Sequence, residues 1–242
     1  MYFFFHLITG IVLGLLLADL FRDGRWLVPC AAGAILPDLI DKPAGLLLFQ
    51  GIFGTRTVFH SLLALAVVLG IGLLLLRYRG SPVLTAVAAG ILSHQVLDAM
   101  WNEPAVWLYP FGGTLVPEPA YPLGYLLALA RADLLDPSEW AMAGLLVAGF
   151  LLYLEKDRLL AMALRHRKGL ALFLEGSGVV LLAGSGLVIA RGLLRTNLSH
   201  GGRAGFGGFL VPGIFLALSA FLLWRWGSRL ATPSAGQEAG AP

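Results

Sequence analysis

Apolar residues run in long unbroken stretches, with neither the period-two alternation of half-buried strands nor the one-sided stripe of soluble helices. The stretches fall at about residues 3–20, 26–48, 58–76, 82–100, 140–154, 170–190 and 207–226. Most match the roughly 18–20 residues that a helix needs to cross about 30 Å of hydrocarbon. The pattern predicts an all-α fold, a polytopic integral membrane helical bundle of about seven transmembrane or re-entrant helices. The second stretch is interrupted by the polar run PDLIDKP at 37–43, and the fifth is short. Residues 101–139 differ in kind, holding six of the 13 prolines together with Trp107, Tyr109 and Tyr121. Proline removes backbone donors and aromatic rings favour the membrane–water interface, so this stretch predicts a loop or partly re-entrant segment near a headgroup surface. The expected organisation is a membrane-embedded core at 1–139 including that outer segment, further transmembrane helices at 140–226, and a disordered tail at 227–242. The start, MYFFFHLITG, has neither the basic residues nor the cleavage site of a secretory signal and reads as a retained first span.

Composition sharpens the picture by exclusion. With 58% hydrophobic and only 13% charged residues, the chain has too little polar side chain to coat a water-soluble domain. The mean hydropathy of +0.82 agrees. The net charge of +3 is spread over short loops with no aromatic-interleaved basic groove, which argues against a nucleic-acid partner. A single cysteine, Cys30, excludes an internal disulfide and a Cys-rich zinc module, and its apolar surroundings mark it as a small buried hydrophobe. Lys and Arg collect in cytoplasmic loops. Placing the N-terminus outside and the C-terminus in the cytoplasm puts Arg22, Arg25, Arg77, Arg79 and the run Arg165–Lys168 inside, although Arg191, Arg195 and Arg203 then share one outer loop.

Against this background a charged group within a span is costly and marks a cavity or a task. The positions concerned are His6, Asp38, Asp41, His60, His94 and Asp98. His94 and Asp98 are four residues apart, so on a helix both point to one face as two ligands of one ion would. Asp38 and Asp41 are three apart if a helix starts after Pro37; capping, or pairing of Asp41 with Lys42, is the structural alternative. Imidazole and carboxylate suit zinc or a similar divalent ion. In the N-outside arrangement these positions reach similar depths and converge beneath the outer leaflet, under segment 101–122. Arg56 shares a helical face with His60 if that helix begins early, and its planar fork would suit a substrate phosphate or carboxylate. Ser61 and Ser93 read as packing or supporting hydrogen bonds, and Asp19, Asp23, Asp133, Asp136 and Glu139 as solvated groups near helix ends.

The order His6-x-x-x-Gly10, LPDLIDKP, RTVFHSLL and SHQVLDAMW followed by WLYPF resembles the membrane-bound metal-dependent hydrolase family of the YdjM type, especially its branch carrying PDLIDKP. The resemblance spans about residues 1–125. It implies a helical membrane protein with metal-dependent hydrolase activity, whose polar positions fall on His6, Asp38, Asp41, His60, His94 and Asp98. A looser similarity, in ligand type and helical spacing, is to zinc-dependent phospholipase C. The expected function is metal-assisted hydrolysis of an ester or phosphoester in a lipid or amphipathic substrate, with Asp38 or Asp98 as the catalytic proton acceptor and Arg56 as substrate contact. The competing classes are a metal-ion or proton transporter, disfavoured by polar groups gathered towards one side, and a non-catalytic membrane factor with a structural metal site.

Overall fold

The computed structural model describes residues 3–49, 54–112, 122–155, 158, 161, 165–196 and 207–231. Every regular element among them is helical, and the chain divides into two compact units, Met1–Leu146 and Val147–Pro242.

The first unit is built on four packed helices. Helix α1 (Phe3–Phe21) leads through a 3-10 turn at Gly24–Trp26 into α2 (Leu27–Pro43). Asp23 starts the turn by accepting the Arg25 N–H at 3.0 Å and pairing with its guanidinium at 2.9 Å, which holds the Asp23 carboxyl below its ordinary range. His6, Gly10 and Gly14 follow at four-residue steps and so share one face of α1. β-Carbons at Gly10 and Gly14 would lie 2.5 Å from Ala34 Cβ and 2.8 Å from the Leu27 carbonyl oxygen. Glycine therefore lets the two backbones touch, as small residues do wherever membrane helices associate. Because Gly14 meets Leu27 while Gly10 meets Ala34, α2 runs back along α1.

Helix α3 (Leu62–Arg79) turns into α4 (Val83–Leu97) at Gly80, whose φ of +61° is the left-handed conformation that glycine takes without strain. Trp26, Cys30 and Ala86 form one buried cluster; Leu65, Ala88 and Ile91 form another. Cys30 is thus the small buried group its surroundings predict. The starts of α1 and α3 and the ends of α2 and α4 meet at one end of this unit, and that end receives His6, Asp38, His60 and His94. Arg22, Arg25, Arg77 and Arg79 fall at the other.

Burial is inverted relative to a soluble protein. His6, Asp38, Asp41, His60, His94 and Gln95 are buried, whereas Val67, Ile71, Leu73 and Leu74 of α3 are exposed. That distribution suits lipid as the surrounding solvent. Among the described residues three helices are long and apolar enough to cross a membrane, Phe3–Phe21, Leu62–Arg79 and Arg167–Arg191. The apolar runs predict about seven. The difference lies partly in α2, which carries Asp38, Asp41 and Lys42, and in α4, which has only 15 residues.

Other elements depart from the sequence expectations. Asp38 does not follow a new helix start, because Pro37 lies inside α2 and the chain continues into a π turn at Ala44–Leu48. Membrane helices tolerate such a proline where neighbours satisfy the freed carbonyl. Segment 101–139 contains the short α5 (Pro104–Trp107) and the 12-residue α6 (Leu123–Leu134), while 113–121 lies outside the described residues. Glu139, in the first turn of α7 (Pro137–Leu154), is 7% exposed and not solvated; its carboxylate accepts the Phe4 N–H at 2.9 Å. The first N–H groups of α1 have no acceptor in their own helix, and an acid at that positive end supplies one.

In the second unit, α8 (Arg167–Thr196) and α9 (Gly207–Ala231) pack as a pair. The Ser185 hydroxyl donates to the Gly213 carbonyl at 2.7 Å, and Gly178 and Gly227 permit close backbone contact. Helix α9 continues to Ala231, so residues 227–231 are helical where a disordered tail is expected. The remainder of that tail, 232–242, is outside the described residues.

Candidate metal centre

Asp41 organises the chain that approaches the site. Its carboxylate accepts the backbone N–H groups of Thr57 at 2.9 Å, Phe59 at 3.1 Å and His60 at 3.2 Å, and it lies 2.7 Å from His60 Nδ1. His60 ends a 3-10 turn, Val58–His60. Ser61 then caps α3, accepting the Ala64 N–H at 3.2 Å, so the helix starts at Leu62 and Arg56 and His60 share no helical face. The reason is the Asp41 carboxylate, which draws backbone donors between Thr57 and His60 out of helical geometry.

His94 is fixed differently, with Nδ1 2.8 Å from the Ala34 carbonyl oxygen. That oxygen only accepts, so His94 Nδ1 carries the proton and Nε2 of the neutral ring presents a lone pair. The same logic applies to His60, whose Nδ1 faces the Asp41 carboxylate. The two Nε2 atoms nevertheless stand 3.2 Å apart. Asp38 Oδ1, buried and accepting no hydrogen bond, lies 3.5 Å from His60 Nε2 and 3.6 Å from His94 Nε2. Asp98 Oδ2 is 4.0 Å from His94 Nε2. Asp38, His60, His94 and Asp98 thus offer four donor atoms within 4.8 Å of one another.

A tetrahedral ion with bonds of about 2.0–2.1 Å needs donors about 3.3–3.4 Å apart. The separations among Asp38, His60 and His94 are close to that, while Asp98 stands farther out, 4.0 Å from His94 Nε2. The charges also match. Asp38, Asp41, Asp98 and Glu103 face Lys42 and Arg56, which with neutral histidines leaves two negative charges for a divalent cation to balance. These residues can hold a metal ion.

His6 and Arg56 flank Asp98. His6 Nε2 is 3.2 Å from Asp98 Oδ1, and its ring stacks on His94 with centroids 4.2 Å apart. Arg56 Nη2 lies 2.9 Å from Asp98 Oδ2, and Nη1 pairs with Glu103. Lys42 pairs with Asp38, four residues before it, not with Asp41. All six predicted histidine and aspartate positions are therefore assembled. Asp38, His60, His94 and Asp98 are the group that can hold a metal ion, while Asp41 meets His60 and His6 meets Asp98. Sequence reasoning misses Glu103 and Gln95 as neighbours of the site. Gln95 donates to the Ser61 carbonyl at 3.0 Å and accepts from Trp107 Nε1 at 3.1 Å, tying α5 to α4 beside the site. Its position directly after His94 is the available signal.

Ala99, next to Asp98, has φ +50° and ψ +45°, which is strained for a residue with a β-carbon. Ala99→Gly is expected to raise the thermal midpoint in detergent, reflecting relief of about 1 kcal/mol. A lowered midpoint would show that the strain is absent.

A protein-family model described as YdjM inner membrane protein matches residues 1–162. The chain belongs to that family. The YdjM match takes in α1 to α7 and every donor residue, while α8 and α9 lie beyond it. No curated protein and no solved structure matches the chain.

Proposed function

We propose that this YdjM-family protein is a membrane-embedded, divalent-metal-dependent hydrolase acting on an ester or phosphoester of a lipid or amphipathic substrate. The observation that carries this reading is the convergence of His60 Nε2, His94 Nε2 and Asp38 Oδ1, which lie 3.2–3.6 Å from one another in a buried place. Burial of Asp38 Oδ1 without a hydrogen bond is costly, and a cation bound there would offset that cost. Mixed imidazole and carboxylate donors favour zinc. When bound, such an ion supplies Lewis acidity and makes water a nucleophile near neutral pH.

The chain's own groups divide the remaining work. Asp98 lies at the accessible edge of the cluster and is the better placed proton acceptor; Asp38 is held more deeply by Lys42. Asp41 keeps the proton of His60 on Nδ1, and the Ala34 carbonyl does the same for His94. Exposed apolar side chains, Val58 beside His60 and Leu108 and Phe111 beyond α5, suit a substrate that arrives from lipid. A transporter would need buried polar groups along a path, whereas among the described residues of the first unit they gather at one end, with Thr9 and Thr85 among the few deeper ones. With the N-terminus outside, the site opens under the outer leaflet, and a reporter fused after Lys168 scoring as extracytoplasmic would reverse that orientation.

The test is metal analysis of detergent-purified protein together with hydrolysis of a panel of lipid esters and phosphoesters. Wild type is expected to hold stoichiometric metal and His94→Ala to lose it with the activity. Equal metal content in the two proteins would refute the site, and stoichiometric metal with flux into liposomes but no hydrolysis would favour transport.

A further inference from the structure

Arg56 has two unlike partners. Its Nη2 is 2.9 Å from Asp98 Oδ2, on a side chain 14% exposed, while Nη1 pairs with Glu103, whose side chain is 42% exposed. The same Asp98 oxygen is 4.0 Å from His94 Nε2, so the guanidinium stands one carboxylate away from the metal donors. A guanidinium so near a cation site is unfavourable unless anionic groups lie beside it. Asp98 does this on the inner side and Glu103 on the outer.

The outer partner is the replaceable one. Partly exposed ion pairs are weak, whereas an arginine fork binds phosphate oxygens through paired charge-assisted hydrogen bonds. The backbone around Glu103 does not depend on its side chain, because its carbonyl accepts the Val106 and Trp107 N–H groups whatever the carboxylate does. A neutral carboxylic ester taking the place of Glu103 would leave Arg56 undercompensated. A phosphoester would restore the negative charge and present oxygens to both Arg56 and the ion.

We propose that Glu103 occupies the substrate's phosphate position on Arg56, so that the site selects a phosphoester and Glu103 must be displaced for it to bind. This rests on the hydrolase reading above and narrows its substrate class. The two can fail separately, because metal content and phosphate binding are measured independently.

The experiment is titration of full-length, zinc-treated protein in detergent with inorganic phosphate, followed by calorimetry, with acetate as the comparison anion and metal content measured in every sample. Glu103→Gln is expected to tighten phosphate binding about tenfold, with a much smaller effect on acetate. Arg56→Lys, which keeps the charge and loses the fork, is expected to weaken it. Glu103→Gln combined with Arg56→Gln should abolish the gain. Unchanged phosphate affinity in Glu103→Gln, a gain that survives loss of Arg56, or an equal gain for acetate would each overturn the proposal. Wild type without metal would refute the metal centre, while the Glu103→Gln comparison would still decide the phosphate position.

Discussion

Asp41→Ala is expected to release the metal and to destabilise the first unit by about 3–5 kcal/mol, the usual cost of leaving the partners of a buried charge unpaired. Asp41 is 2% exposed and receives three backbone N–H groups and the His60 ring. Alanine leaves all of these groups without an acceptor and frees the chain between Thr57 and His60. One oxygen, Oδ2, receives the Thr57, Phe59 and His60 N–H groups and also faces His60 Nδ1. Asp41→Asn keeps these bonds only with its amide oxygen in that place, and it removes the negative charge beside the His60 ring. The asparagine variant is therefore expected to keep more of its stability than the alanine variant while losing about 10–100-fold in metal affinity. Chelator competition and thermal unfolding in detergent measure the two effects. Wild-type metal affinity in Asp41→Asn would show that the charge of Asp41 does not support His60 as a donor.

Gly90→Ala should disrupt the same site without touching any polar group. A β-carbon there would collide with the Cys30 carbonyl oxygen and lie 2.6 Å from the Ala34 nitrogen, both backbone atoms that cannot rotate away. Helices α2 and α4 must separate, at a cost of about 3 kcal/mol or more. The same movement withdraws the Ala34 carbonyl from His94. Gly70→Ala is the matched control, since a β-carbon there meets nothing within 4 Å. It is expected to leave the thermal midpoint and bound metal within error, or slightly improved by helix propensity. Equal effects of the two alanines would mean that α2 and α4 do not cross this closely.

Much of the site was legible because its information is local. The four-residue spacing of His94 and Asp98 and the burial cost of histidines and acids in apolar runs single out the residues that converge. The division of labour was not legible. Asp38 and Asp41 look equivalent at three-residue spacing, and which of them faces the donors and which meets the incoming chain depends on how far α2 extends past Pro37 and where the 54–61 segment returns. Lys42 adjoins Asp41 in sequence, yet pairs with Asp38 because four residues make about one helical turn. The Ala34 carbonyl that orients His94 comes from a backbone whose close approach depends on Gly90, far later in the chain. Glu139 misled because its position near a helix start suggests water, while the partner it found was the open end of α1. The expectation of about seven transmembrane or re-entrant helices included the second run, broken by charge, and the short fifth one, whereas among the described residues three helices are long and apolar enough to cross alone.

The placement of all the donors at one end of α1 to α4 also has a consequence for biosynthesis. Helix α2 leaves the ribosome carrying Asp38, Asp41 and Lys42, while His94, Asp98 and the glycine face that packs against α2 are still to be made. Until α4 arrives, α2 is a poor candidate for stable residence in lipid, and the donor set is incomplete. For the metal centre proposed above, loading would follow insertion of the fourth helix, and a chain stopped after α3 would offer the insertion machinery a charged segment with nowhere to hide it.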